Sequence, residues 1–167
     1  MKKRMISVLL ILALALSLLP AVALADETIR DVYTTADLAA ALNDQSVTTI
    51  RLNAPTKPGD TLELTSHYTI SRNLTLDMQG RSLPGHGSFT IPKGYKLTIQ
   101  NGGVIEGRID VDNYGVLEGE GASFAGNVTC HTDAEIHSGE FSSIKAEIND
   151  GEACRRLPAV DLGKRQP

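Results

Sequence analysis

The chain of 167 residues has no tryptophan, four tyrosines, three phenylalanines and two cysteines. So few rings leave stacking platforms for sugars or nucleobases sparse. Basic charge is also scarce. The whole chain carries −4, and the stretch after residue 25 has 13 basic residues against 20 acidic ones, or −7. No basic stripe remains to neutralise phosphates, which excludes an electrostatic nucleic-acid binder. Spanning-length apolar runs are missing beyond the N-terminus, so no membrane partner is expected once that segment is removed. Apolar content of 41% excludes wholesale disorder.

The single long apolar stretch lies in MKKRMISVLLILALALSLLPAVALA (1–25). Lys2, Lys3 and Arg4 precede a run from Ile6 to Leu19, then Pro20 and the small-residue pattern Ala23-Leu24-Ala25. That order predicts a bacterial signal peptide cut before Asp26, and a secreted or cell-surface product of 142 residues. The run is short for an uncleaved anchor. Cys130 and Cys154 would then meet an oxidising compartment. Their spacing matches no zinc pattern, and a buried free thiol at Cys130 is expected, with pairing to Cys154 as the alternative.

What the chain does have is a repeat. GRSLPG (80–85), GGVIEG (102–107) and GASFAG (121–126) share Gly-x-x-apolar-x-Gly, and GEFSS (139–143) is a shortened copy. Their first glycines fall 22, 19 and 18 residues apart. Before the blocks run NLTLDM (73–78), KLTIQ (96–100), GVLEG (115–119) and AEIHS (134–138); after them run SFTI (88–91), RIDV (108–111), NVTC (127–130) and SIKA (143–146). Most alternate apolar and polar with period two, as half-buried strands do. A looser earlier turn is visible in TIRL (49–52), TLEL (61–64) and YTI (68–70).

Three short strands per 18–24 residues, with glycines at the corners, describe a coil stacking on its predecessor. A sandwich would need longer strands and repeated hairpin signals, and Asn101-Gly102 is the only such dipeptide. The expected fold is all-β: a parallel β-helix (solenoid) of about four to five coils over 46–150, right-handed by the default of parallel crossovers. Its interior columns are expected to run Leu83, Ile105, Phe124, Phe141 and Ile91, Val111, Cys130, Ala146. Over 26–45, Thr34 to Asp37 resembles a capping box, and Leu38, Ala41 and Leu42 form one helical stripe ended by Asn43-Asp44, which predicts a short helix covering the first coil. After Ile148 the period is lost, and 151–167 reads as an irregular, frayed or truncated tail.

The TTADLAAALND, TIRLNA, NLTLDMQGRSL and GYKLTIQNGGVIEG segments resemble secreted bacterial right-handed β-helix proteins of the pectate-lyase-like superfamily, above all the non-catalytic, surface-associated members. The resemblance covers about 32–148 and implies a fold more firmly than an activity.

That superfamily's enzymes act on acidic polysaccharides, which sets what a catalytic site requires. Hydrolysis needs paired carboxylates flanking the glycosidic bond. Asp110 and Asp112 point the same way from one strand, with Glu106 or Glu118 as additions from adjacent turns, while Ile109 and Val111 claim the inside. The bland reading of the pair is a solvated outer face. Gly85-His86-Gly87 matches a short His-bearing motif of polygalacturonases, but its companion motifs are absent and Pro84 to Ser88 reads as a turn. A lyase would need Ca²⁺ carboxylates and a proton acceptor. Asp110, Asp112 and Asn113 supply oxygens and Arg108 is near in sequence, yet neighbours on one strand make no Ca²⁺ cage. His67, His131 and His137 suggest no metal triad. The expectation is a non-enzymatic module binding polysaccharide or a surface protein without cofactor, with Asp110, Asp112 and His86 as the catalytic candidates of the alternative, a small carbohydrate-active enzyme.

Overall fold

The computed structural model describes residues 28–107 and 109–146, and the pairs 155–156 and 161–162. The expected leader, Arg108, Cys154 and most of the expected tail lie outside the described residues. Over the described residues the chain is a parallel β-solenoid of about six turns with one short helix.

Its first face stacks β1 (Ile29–Val32), β2 (Thr49–Leu52), β4 (Leu74–Asp77), β7 (Lys96–Gln100), β10 (Val116–Gly119), β12 (Glu135–His137) and β14 (Arg155–Arg156). The second stacks β3 (His67–Thr69), β6 (Ser88–Ile91), β9 (Asp110–Asn113), β11 (Ala122–Cys130), β13 (Glu140–Ala146) and β15 (Asp161–Leu162). A third, narrower face pairs β5 (Ser82–Leu83) with β8 (Gly103–Ile105) and β8 with the first residues of β11. Consecutive turns pair in parallel, so the backbone groups of strands inside the stack find partners in the coils before and after them.

Six turns rather than four to five arise at the two ends. Ile29–Val32 is a strand ahead of the helix, and only Val32 of its four residues is buried, so it leaves no apolar alternation to read. Arg155–Arg156 and Asp161–Leu162, in the stretch read as irregular, pair with Glu135–Ile136 and Glu140–Phe141.

Helix α1 (Thr35–Asn43) lies between β1 and β2, the chain segment that in later turns supplies the other two faces. Thr34 is its N-cap and accepts a hydrogen bond from the Asp37 N–H at 3.2 Å. The expected stripe of Leu38, Ala41 and Leu42 is buried in the core. Its C-terminal end is held from outside the helix. The Arg72 guanidinium, 9% exposed, donates to the carbonyls of Ala41 (3.0 Å), Leu42 (3.1 Å) and Val47 (2.6 Å). Helix ends leave such carbonyls orphaned, and a planar fork suits several at once.

The core is a set of apolar columns. On the third face Leu83, Ile105, Phe124 and Phe141 stack in register as expected, the last two with ring centroids 4.6 Å apart. On the second face Ile91, Cys130 and Ala146 share one register column as expected, but its second member is Asn113 rather than Val111, which stands two residues earlier with Phe89 and Val128. A wholly buried asparagine occupies the position where an apolar residue was sought. Its Nδ2 donates to the Glu135 carbonyl at 2.9 Å and its Oδ1 accepts from the Gly115 N–H at 3.1 Å, which binds the corner leading back to the first face. Cys130 is disulfide-bonded, not a free thiol. The sequence offers Cys154 as the one other cysteine.

The repeat's two glycine positions do different work. Gly80 and Gly102, the first of their blocks, have φ of +69° and +66°, and an added Cβ would meet open space at the first and no more than an ordinary contact at the second. There the turn needs left-handed backbone. Gly126, the last of its block, would place a Cβ against the Ile109 carbonyl oxygen, and Gly85 one against Leu64 backbone. There the coils pass too close for a side chain.

Candidate functional site

Because Phe89, Ile91, Ile109, Val111, Val128 and Cys130 point inward, period two turns Ser88, Thr90, Asp110, Asp112, Asn127 and Thr129 outward on the second face. Parallel pairing sets them in two rows along the solenoid. His67, Ser88 and Asp110 are register partners in one row, and Asn127 and Ser143 continue it. Thr69, Thr90, Asp112 and Thr129 form the other, with Lys145 at the next register position. Neighbouring strands in such rows are ~4.8 Å apart.

Over these rows lies an open groove of about 580 Å³ lined by Ser88, Asp110, Asp112, Asn127, Thr129 and Ser143. All six are polar, and none is basic. Asp110 Oδ1 accepts from Asn127 Nδ2 at 3.1 Å and from its backbone N–H at 3.3 Å. Asp112 Oδ1 lies 3.9 Å from His131 Nε2, and the His131 ring stacks on Tyr114 at 3.7 Å with 5° between planes.

Asp110 and Asp112 therefore do face one groove from one strand. The additions considered for them do not join. Glu118 sits on the first face, where Lys96 Nζ lies 3.0 Å away and Thr98 Oγ1 donates at 3.3 Å. Lys96 above all holds the Glu118 carboxyl below the usual glutamate range, against the opposing effect of burial. Glu106 is exposed beyond the end of β8 and does not line the groove. His86 is exposed in the corner between β5 and β6, its N–H bonded to the Leu64 carbonyl at 3.0 Å, and is likewise not among the lining residues. Arg108 lies outside the described residues.

Sequence reasoning missed His67. Its Nδ1 is 2.6 Å from Ser88 Oγ and its Nε2 is 3.3 Å from Thr90 Oγ1, so it spans both rows at the head of the groove. A separation of 21 residues from Ser88 hid it. The signal that could have found it is the repeat period itself, carried back one coil into the poorly conserved pattern of YTI. His131 stands beside the groove residue Asp112, and His137 belongs elsewhere, beside Glu135 on the first face at 2.9 Å.

Among the described residues no group of three or more His, Cys, Asp or Glu side chains could hold a metal ion. Two groove carboxylates fall short of the six to eight oxygens that Ca²⁺ takes. Among the described residues, the large apolar side chains left exposed are Ile29, Tyr33, Tyr95 and Tyr114, and none lines the groove. The chain matches no protein-family model, no curated protein and no solved structure.

Proposed function

We propose that the protein is an exported, non-enzymatic β-solenoid module of the pectate-lyase-like kind, and that the second face binds a glycan at the cell surface or in the extracellular space. The observation that carries this reading is the groove of six polar side chains in two ordered rows. Hydroxyl, amide and carboxylate groups repeating at the strand spacing suit a ligand that is itself a chain of hydroxyl-bearing units. A protein partner is less well served, since protein interfaces centre on an apolar, often aromatic core.

The alternative, a small carbohydrate-active enzyme, draws on the presence of Asp110 and Asp112 in one groove. Against it, acid and base must flank the scissile bond. These two stand side by side on a flat floor and would reach a bound chain from the same side.

The test is a titration of ¹⁵N-labelled protein with oligosaccharides, read alongside an assay for new reducing ends and for unsaturated products. Saturable shifts centred on Ser88, Asp110, Asp112, Asn127 and Thr129, without turnover, are expected. Turnover that disappears in Asp110→Ala or Asp112→Ala would establish the enzyme instead.

A further inference from the structure

We infer that a gap in the third face is a separate binding site, and that it takes an extended peptide segment, which adds a strand against β5. Elsewhere on this face the coils are laced together over consecutive residues, β5 with β8 and β8 with β11. The coil before β5 meets it by a single bridge, from Leu64 to Gly85. Ahead of that bridge the two stretches part. An open cavity of about 450 Å³ lies between 61–63 on one side and Arg81, Ser82 and Pro84 on the other. That size is within the usual range of ligand sites.

The gap has a cause in the chain's own donors. Leu64 N–H donates to the Pro84 carbonyl at 2.9 Å, and the Leu64 carbonyl accepts from His86 N–H at 3.0 Å. Main-chain groups alternate in direction along a parallel ladder, so Leu62, two residues earlier, also turns its N–H and carbonyl toward β5. The residue placed to donate to the Leu62 carbonyl is Pro84, which has no N–H. Thr61 and Glu63 are tied the other way, to the start of α1. Thr35 N–H and Oγ1 donate to the Thr61 carbonyl at 2.9 and 3.1 Å, and Glu63 N–H donates to Thr35 Oγ1 at 3.0 Å. Across the gap, Val104 and Glu106 N–H donate to the Arg81 and Leu83 carbonyls, which leaves the Ser82 N–H and carbonyl directed into the cavity. Among the described residues, the main-chain groups of Ser82 and Leu62 have no hydrogen-bond partner.

Two donors and two acceptors of the main chain therefore face the cavity from opposite walls. The ladder to β8 fixes one wall and Thr35 fixes the other, so binding has only the ligand to order. A ligand that answers these groups with alternating C=O and N–H is another extended chain, the pairing by which open strand edges take up peptides. Sugar hydroxyls carry no such fixed alternation. Leu62 at the base, with Pro55 and Pro84, offers apolar contact to the peptide's side chains. Asp60, Glu63 and Arg81 stand around them and set which sequence is preferred.

The experiment selects phage-displayed random heptapeptides on the folded protein, then titrates synthetic copies, capped at both ends, into ¹⁵N-labelled protein. Shifts are expected at the Leu62, Glu63, Arg81 and Ser82 amides. Methylating the peptide nitrogens that face the protein should weaken binding about tenfold, and methylating those between them less than about twofold. Ser82→Pro deletes the N–H that β5 directs into the cavity and spares the ladder to β8, so it should also weaken binding about tenfold. Pro84→Ala returns the missing N–H and should weaken binding by letting the coils close. If Ser82→Pro does not fold, the methylated peptides decide on the unaltered protein. No sequence recovered above background, shifts confined to other residues, or equal loss from methylation at every position would overturn the inference. So would an oligosaccharide that moves these amides when no peptide does. Glycan binding on the second face reports separately in the same spectra, through Ser88 and Asp112.

Discussion

At the scale of single residues, the two kinds of glycine separate by cause. Gly80 is there for its φ of +69°, with nothing near an added Cβ. Gly126 is there because a Cβ would run into the Ile109 carbonyl oxygen, at a backbone conformation any residue can adopt. Gly80→Asn should therefore cost less than about 1 kcal/mol, since asparagine visits left-handed backbone readily. Gly126→Ala should cost roughly 1–3 kcal/mol through coil displacement, and substitution by asparagine would not relieve it. Urea denaturation of both variants checks the contrast. The Gly-x-x-apolar-x-Gly spacing was legible in the chain, but the distinct reasons for its ends were not, because only the stacked neighbour reveals a close approach.

Asp77 carries a pH dependence. Burial alone would raise its pKa, yet Asn101 Nδ2 at 2.8 Å, Gln79 Nε2 at 2.7 Å, the Gln79 N–H and Arg51 together hold it below the usual aspartate range. A folded pKa below the unfolded value adds stability that is fully present above the unfolded value and lost as pH falls through the folded one. With unfolded aspartate near ~3.9, the loss should set in as the pH drops through about 4. Asp77→Asn should remove that part of the acid slope in denaturation midpoints measured from pH 6 downward. An unchanged slope would show the carboxylate is not coupled to folding.

At the scale of elements, α1 was the most readable piece. Thr34, Asp37 and the Leu38, Ala41, Leu42 stripe are local signals, and local signals survive folding. Asn43-Asp44 ends the helix as expected, with Asp44 as its C-cap, but what anchors that end is not local. Arg72, about thirty residues away in sequence, supplies donors to Ala41 and Leu42 carbonyls. Arg72→Leu should destabilise by roughly 3 kcal/mol, because buried carbonyls lose charged donors. Arg72→Lys should recover little, since one ammonium cannot reproduce the fork that spans three carbonyls. Loss of amide-exchange protection in the last turn of α1 beyond that elsewhere would locate the effect. The same non-locality hid Asn113: a polar residue reads as outward until its partners, the Glu135 carbonyl and the Gly115 N–H, are in place.

At the scale of the whole molecule, each turn contacts chiefly its neighbours, so stability is a sum of turns and interfaces rather than one all-or-none core. The disulfide at Cys130 ties the end of β11, on the second face, to another part of the chain, and the one other cysteine of the sequence, Cys154, lies 24 residues on. Loop-closure entropy for such a length is worth about 3 kcal/mol. Reduction should therefore lower the urea midpoint and should strip exchange protection first from β12 and β13, leaving β2, β4 and β7 protected. Uniform loss across all turns would show a single cooperative unit. The same additive architecture explains why a candidate site can form without a cavity: rows arise wherever outward positions stack.

The sequence by itself determined the solenoid, the strand alternation, the helix and the outward direction of Asp110 and Asp112, because periodicity and capping act over a few residues. Register was left to the tertiary structure. It decided that Val111 stands with Phe89 rather than Ile91, that Glu118 belongs to another face, and that His67 meets Ser88. The physical reason is that parallel coils exchange hydrogen bonds only after both are wound. A corner with one residue more or fewer shifts every partner beyond it, and no local signal records the count.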